Sequence, residues 1–461
     1  MKTLAITAVL MCSLAGCADD DGPSGPVLLT GTDRYITDTG EQQVAVDPSD
    51  VSVFTIDANG ESVELAVRDT GAGLEVADAP GGIYYIQRGQ LIVATDARTV
   101  DVGTVMLGRV DATAPSESTP LDLQLSDLAA WQDGDAVHLY SAGAGLWSPY
   151  IAMPEPAGDP TVGALSLDFD ALSLPLVDSG AGDALHVTQF RVQSIGAHSY
   201  QSALRSQAVS VDMTTADASI ATALVAPPQQ TLAIDWPVAA YDDARQDVQP
   251  IAITAFYDFY LAAIPEGASH GHFGASADLI SMRAQDLGER LLGSMSYADP
   301  FPSAWTRVAT TVAWYPVTYT LPGASRVTLW DGMWNRAGWA GGAVDMSPVL
   351  GPPVDVSQNW NGGLCVSWSA PVSGSASSYQ LTFYNLFDEG GVSRLSPAVG
   401  ARTTDTRFCL AEDFIDRSAG GVVVQVGAVF SIDNSALPAP FGTSLPHGFA
   451  ETSALAPPRP R

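Results

Sequence analysis

Apolar and polar positions alternate with a period of two along most of this chain, in short runs separated by turn residues. Residues 51–56 (Val-Ser-Val-Phe-Thr-Ile) and 62–67 (Ser-Val-Glu-Leu-Ala-Val) flank Asp57-Ala58-Asn59-Gly60, and Asn-Gly is a strong hairpin signal. Leu74-Glu75-Val76-Ala77 and Ile83-Tyr84-Tyr85-Ile86 follow, divided by Ala79-Pro80-Gly81-Gly82. Strand-like runs then recur at 121–125, 136–140, 165–169, 184–192, 232–236, 251–260, 308–314 and 327–330. One stretch departs from this pattern. Residues 277–292 place Leu279, Ile280, Leu287, Leu291 and Leu292 at roughly helical spacing, with Asp278, Arg283 and Glu289 polar, which predicts a helix weakened by Gly288. The whole pattern predicts an all-β chain of several β-sandwiches.

Length and composition set the scale. The 461 residues are 46% hydrophobic, enough for packed cores, and the 43 glycines and 31 prolines are spread without a period, as turns between short strands require. The boundaries expected are a leader at 1–16, an acidic flexible tether at 17–26, a small sandwich at 27–112, a large β-rich region of one or two domains at 113–349, and a last domain at 350–457 that starts after Leu350-Gly351-Pro352-Pro353. Twenty Lys and Arg stand against 51 Asp and Glu, a net charge of −31. Lys2 is the only lysine, so Schiff-base, P-loop and Ser-x-x-Lys chemistries are excluded from the rest of the chain. The acidity also excludes nucleic acid, whose binding needs a basic footprint.

The N-terminus carries an address. Met1-Lys2 and an apolar run at 4–11 precede Leu14-Ala15-Gly16-Cys17, and the hydrophobic stretch is too short to cross a bilayer. Leu14-Ala15-Gly16-Cys17 resembles the lipobox of bacterial lipoproteins. That resemblance implies cleavage before Cys17, lipidation of Cys17 and stable anchoring by more than one acyl chain. Ala18 after the cysteine favours the outer membrane in the enteric sorting pattern, with the surface and periplasmic faces both open. Asp19-Asp20-Asp21-Gly22-Pro23 and the residues to Pro26 cannot bury apolar area and read as the tether.

Two further resemblances concern the domains. Residues 79–85, Ala-Pro-Gly-Gly-Ile-Tyr-Tyr, are similar to an edge motif of carboxypeptidase-regulatory-like sandwiches. At the other end, about 105 residues resemble a fibronectin type III domain: Leu364–Pro371 as strand B with Trp368 in its core, Tyr379–Phe383 as strand C, Thr406–Leu410 as strand E and Val422–Ala428 as strand F, with Val422 where the family has its tyrosine. Of four cysteines, Cys12 falls in the leader and Cys17 is the lipid site, leaving Cys365 and Cys409 as one disulfide. With Leu364, Val366 and Trp368 inward, Cys365 faces outward. The same holds for Cys409 between Phe408 and Leu410, and strands B and E are neighbours in that fold.

Candidate chemistry is sparse. The chain has no G-x-S-x-G, H-E-x-x-H, Gly-rich phosphate loop or C-x-x-C, and no cofactor is expected. His270-Gly271-His272 is the one histidine pair with metal-ligand spacing, but no third ligand is nominated. The other histidines are expected to be packed or surface residues. Between Trp330 and Trp339, three tryptophans (Trp330, Trp334, Trp339) alternate with Asp331, Asn335 and Arg336. They suggest either a stacking platform for a sugar or filling under a domain boundary, with Trp305 and Asp299-Pro300-Phe301-Pro302 in the same cluster. The function expected is a lipid-anchored envelope protein acting as a non-enzymatic binding or scaffolding module for a protein or glycan partner. The alternatives are a surface glycan- or polymer-binding protein using the tryptophans, and a secreted hydrolase in 113–349 built from His270, His272 and nearby carboxylates.

Overall fold

The structure is a computed structural model. It describes residues 25–57, 62–71, 73–79, 81–89, 91–214, 218–245, 255–266, 276–320, 326–345, 349–360, 363–389, 392–416, 418–430 and 447–456. Among these the fold is all-β: the single helix is α1 (Ala239–Arg245), and the only other helical segments are 3₁₀ turns at Pro48–Asp50 and Glu412–Phe414.

The N-terminal unit grows from the expected hairpin. Val51–Ile56 pairs antiparallel with Ser62–Leu65 and with Tyr84–Arg88, which leads into Leu91–Thr95. The Asn59-Gly60 turn itself lies outside the described residues. A second small sheet sets Val27–Thr30 between Thr99–Asp101 and Leu74–Val76. Between the two lie Val27, Leu29, Val53, Tyr84, Ile86 and Val93. Tyr84 is fully buried, and its hydroxyl donates to the Ala97 carbonyl, so its one polar atom is satisfied inside the core.

Region 113–349 holds two hydrophobic cores. In the first, Pro120–Ser126 pairs with Gly163–Asp168 and Ala218–Ala223, and its inward Leu121, Leu123 and Leu125 pack against Leu139, Val187 and Phe169. The second lies under a long antiparallel sheet of β1 (Leu185–Ile195), β2 (His198–Val209), β3 (Phe256–Ile264), β4 (Ala277–Ala284), β5 (Thr306–Thr320) and β6 (Arg326–Trp339), paired in the order β1-β2-β4-β3-β5-β6. A three-stranded sheet, with Gln229–Trp236 between Leu291–Ala298 and Ala343–Asp345, closes over it and buries Trp236, Phe259, Leu261, Met295, Tyr315 and Met333.

The helix expected at 277–292 does not form; the stretch is β4, a turn, and the start of Leu291–Ala298. β4 is covered on both faces, with Ala277, Asp278, Leu279, Ile280 and Met282 all buried, so it lacks the alternation that marks a half-exposed strand. The turn is fixed by Gly288 at φ +64° and by the Asp286 carboxylate, which accepts from the Gly288 N–H at 2.9 Å.

The C-terminal unit is a sandwich of β7 (Val354–Trp360), β8 (Gly363–Ser369), β9 (Ser378–Glu389), β10 (Val392–Thr403), β11 (Arg407–Ala411), β12 (Gly421–Phe430) and β13 (Gly448–Leu455). One sheet runs β7-β8-β11 and the other β10-β9-β12-β13. This is the A-B-E against C′-C-F-G arrangement of an Ig or fibronectin III-like domain. Trp368 packs edge-on to Tyr379 with ring centroids 5.3 Å apart, and Val422 fills the same core where the family places tyrosine. Cys365 and Cys409 face each other in the β8–β11 register and are bonded. Both lie on the face away from the core. Cys365 is nonetheless only 3% exposed, because β8 is the central strand and is shielded from both sides, while Cys409 on the edge strand is half-buried.

Backbone pairing joins the units. β13 completes the C-terminal sheet beside β12 and also pairs with β6, through Met333↔Ala450, Trp334↔Phe449 and Asn335↔Gly448. β10 pairs in parallel with Leu91–Thr95 of the N-terminal unit. The β6–β13 junction is filled by a buried polar network. Asp331 accepts from Arg245 (3.0 Å), from the Gln425 amide (3.2 Å) and from the Ser453 N–H (3.1 Å). Glu451 accepts from the Gly332 N–H at 2.8 Å, and its carbonyl accepts from Arg245 at 3.2 Å. Arg245 lies 4.6 Å above the Tyr315 ring.

Candidate binding surface

β3, β5 and β6 turn one side to the core and the other outward. Tyr257, Phe259, Ala309, Ala313, Tyr315 and Met333 point in. The register decides which residues share the outer side: Phe256 pairs with Trp314 and Trp314 with Gly332, Val312 pairs with Trp334, and Pro316 with Trp330. Phe256, Trp314, Trp330 and Trp334 therefore lie on one face.

Gly332 makes the strip possible. A Cβ there would sit 2.9 Å from Cζ3 of Trp314 and 3.4 Å from Cζ3 of Trp334, so the Trp314 ring extends across the space that a side chain would occupy. At one end Phe256 and Trp330 lie 5.1 Å apart; at the other Trp334 stacks on Phe449 at 4.0 Å and 16°. Trp330 is 39% exposed, and Phe256, Trp314 and Trp334 are half-buried.

The rim is polar. The buried Asp258 accepts two bonds from Arg283 (2.7 and 2.8 Å) and one from Trp314 Nε1 (3.0 Å). The Arg283 side chain is 66% exposed, and its hydrogen bond to Asp258 holds it firmly charged. Exposed Thr318 and Thr328 share a hydroxyl hydrogen bond of 2.9 Å beyond Trp330. Arg336, buried beside Trp334, donates to Thr310 Oγ1 at 3.2 Å, while its Nη1 and the Trp334 Nε1 have no acceptor among the described residues. Burial pushes the Arg336 guanidinium down to about 10.

The structure divides the residues expected to act together. Trp330 and Trp334 are on the outer face. Trp339 is not: β6 keeps its period of two to the end, so Trp339 turns to the core side, packs near Tyr297 and donates to the Gly342 carbonyl at 3.1 Å. Trp305 stacks on Phe301 (5.1 Å, 6°) against Tyr140 and His186, also inside that core and away from the strip. Trp314 and Phe256 were not singled out in the sequence, because only the pairing of β3, β5 and β6 brings them beside Trp330 and Trp334. Burial drives His138 down to about 3 and His186 to about 4, so both are neutral packing residues. The lipobox with Cys17, and the pair His270 and His272, lie outside the described residues. Among the described residues no three His, Cys, Asp or Glu gather as a metal site, and no helix is long and apolar enough to cross a membrane.

No family model and no curated protein matches the chain in sequence. Among solved structures, the crystal structure of chicken CNTN1 FN1–FN3 domains aligns at 10% identity over 94% of this chain and 99% of that one, with a TM-score of 0.15. The Ig or fibronectin III-like description of the C-terminal unit rests on its own strand order.

Proposed function

We propose that this chain is a lipid-anchored, non-enzymatic binding or scaffolding module of the bacterial cell envelope, held at the outer membrane through Cys17 and spaced from it by residues 17–26. The observation that supports this reading is the double pairing of β13 with β6 and β12, together with β10 against Leu91–Thr95. Shared strands tie the successive sandwiches through their backbones, which suits a stiff body presenting a fixed surface away from a membrane. The outer face of β3, β5 and β6 is the contact surface in this reading. The hydrolase alternative gains nothing from His138 and His186, which are neutral and enclosed by aromatic rings.

Protease shaving of intact cells, comparing wild type with Cys17→Ala, tests the anchoring. A wild-type protein that partitions with membranes, and a variant released in soluble form, is the expected result. A wild-type protein found soluble overturns it. Cleavage of the wild type in intact cells, or only after the outer membrane is opened, separates the surface face from the periplasmic one.

A further inference from the structure

Resting on the binding-module reading, we infer that the Phe256–Trp314–Trp330–Trp334 strip is a binding site for a neutral oligo- or polysaccharide. Three observations select that ligand. The first is shape and surface: aromatic rings lie along a sheet face whose exposed neighbours on β5 and β6 are polar, Thr318, Thr328 and Arg326, rather than aliphatic. A sugar ring offers a C–H face to such rings and hydroxyls to such a rim.

The second is charge. Arg283 projects from the rim paired by two bonds to the buried Asp258, Arg336 on the same face is buried, and the exposed Arg326 stands at the far end of β6, so the rim offers separate N–H donors and no cluster of exposed cations. The chain as a whole carries −31. An anionic polymer would meet repulsion with no compensating cluster of cations; a neutral, hydroxyl-rich ligand does not. The third is length. Trp330 and Trp334 are four residues apart on one strand, about 13 Å, with Trp314 between them across Gly332. That exceeds a single sugar ring, so the ligand is a chain.

The test is native affinity electrophoresis of the soluble chain lacking residues 1–26, run through gels containing mixed-linkage β-glucan, xylan, galactomannan or polygalacturonate, with circular dichroism to show that each variant is folded. Retardation by at least one neutral polysaccharide and none by polygalacturonate is expected. Trp330→Ala and Trp314→Ala should each weaken retardation by about tenfold or more. Trp339→Ala, on the opposite face, should leave it unchanged. Absence of retardation by every neutral polysaccharide overturns the inference, as does retardation that survives Trp330→Ala. A photo-crosslinker at position 330 that captures a polypeptide from envelope extracts would overturn it in favour of a protein ligand. Each of these failures leaves the anchoring result of Cys17→Ala untouched, so the two readings fail separately.

Discussion

Glu451→Gln should stabilise this protein at neutral and alkaline pH. Glu451 sits in the β6–β13 junction with the Gly332 N–H as its donor and the Asp331 carboxylate nearby. Burial first, and the Asp331 charge second, push its carboxyl from 4.5 up to about 8. Between these values the folded chain holds a proton that the unfolded chain has released. Its stabilising effect is therefore complete below pH 4.5 and is lost as pH rises through 8. The slope is at most about 1.4 kcal/mol per pH unit, which gives a ceiling of about 5 kcal/mol across the window. Glutamine keeps an acceptor for Gly332 and cannot ionise. Calorimetric melting of wild type and Glu451→Gln from pH 5 to pH 9 should show curves that meet near pH 5 and separate as pH rises, the variant melting higher. Asp278, pushed up to about 6 by burial, adds a slope of its own below that pH, but it is common to both proteins and cancels in the difference. Parallel pH profiles would refute the reasoning, because they would mean that Glu451 titrates normally in the folded protein.

Three other substitutions probe the same architecture. Asp331→Asn should act in the opposite sense, lowering stability by about 3–5 kcal/mol at pH 7, because it leaves the 3%-exposed Arg245 without its carboxylate; calorimetry at one pH is enough to read it. Replacing Cys365 and Cys409 together by alanine opens a loop of sequence separation 44 and should cost about 4 kcal/mol on the chain-entropy account, measured as a lower urea midpoint that no longer responds to reductant. Gly332→Ala should force Trp314 off its position at a cost of about 1–3 kcal/mol, and a red shift in tryptophan emission should accompany the loss; unchanged emission would mean that the ring does not cross Gly332.

The clearest alternation in the sequence comes from strands with one wet face. Pro120–Ser126 buries Leu121, Leu123 and Leu125 and exposes the residues between, and its period of two is visible in the chain. β8 and β12 are buried along nearly their whole length and are legible for another reason: Trp368, the Cys365–Cys409 pair and the valine-rich run at 422–426 stand at the spacing of the fibronectin pattern. Two strands covered on both sides, with no such marker, are missed. β4 reads as a helix because Leu279, Ile280 and Met282 fill both of its faces and Leu287, Leu291 and Leu292 follow it at helical spacing, and β13 escapes notice because Phe449, Ala450, Thr452 and Ser453 are all buried between β6 and β12. The strand that joins two units therefore leaves the weakest pattern.

The tryptophan-rich stretch shows the same limit from the other side. A platform would need Trp330, Trp334 and Trp339 on one side. Instead β6 runs straight through: Asp331 is satisfied by Arg245, Gln425 and the Ser453 N–H, and Gly332 gives its space to Trp314. The stretch is thus divided by strand parity rather than gathered. Parity along a single strand sends Trp339 into the core and leaves Trp330 and Trp334 outside, and cross-strand register, which no one-dimensional pattern records, supplies Trp314 and Phe256 to complete the outer face.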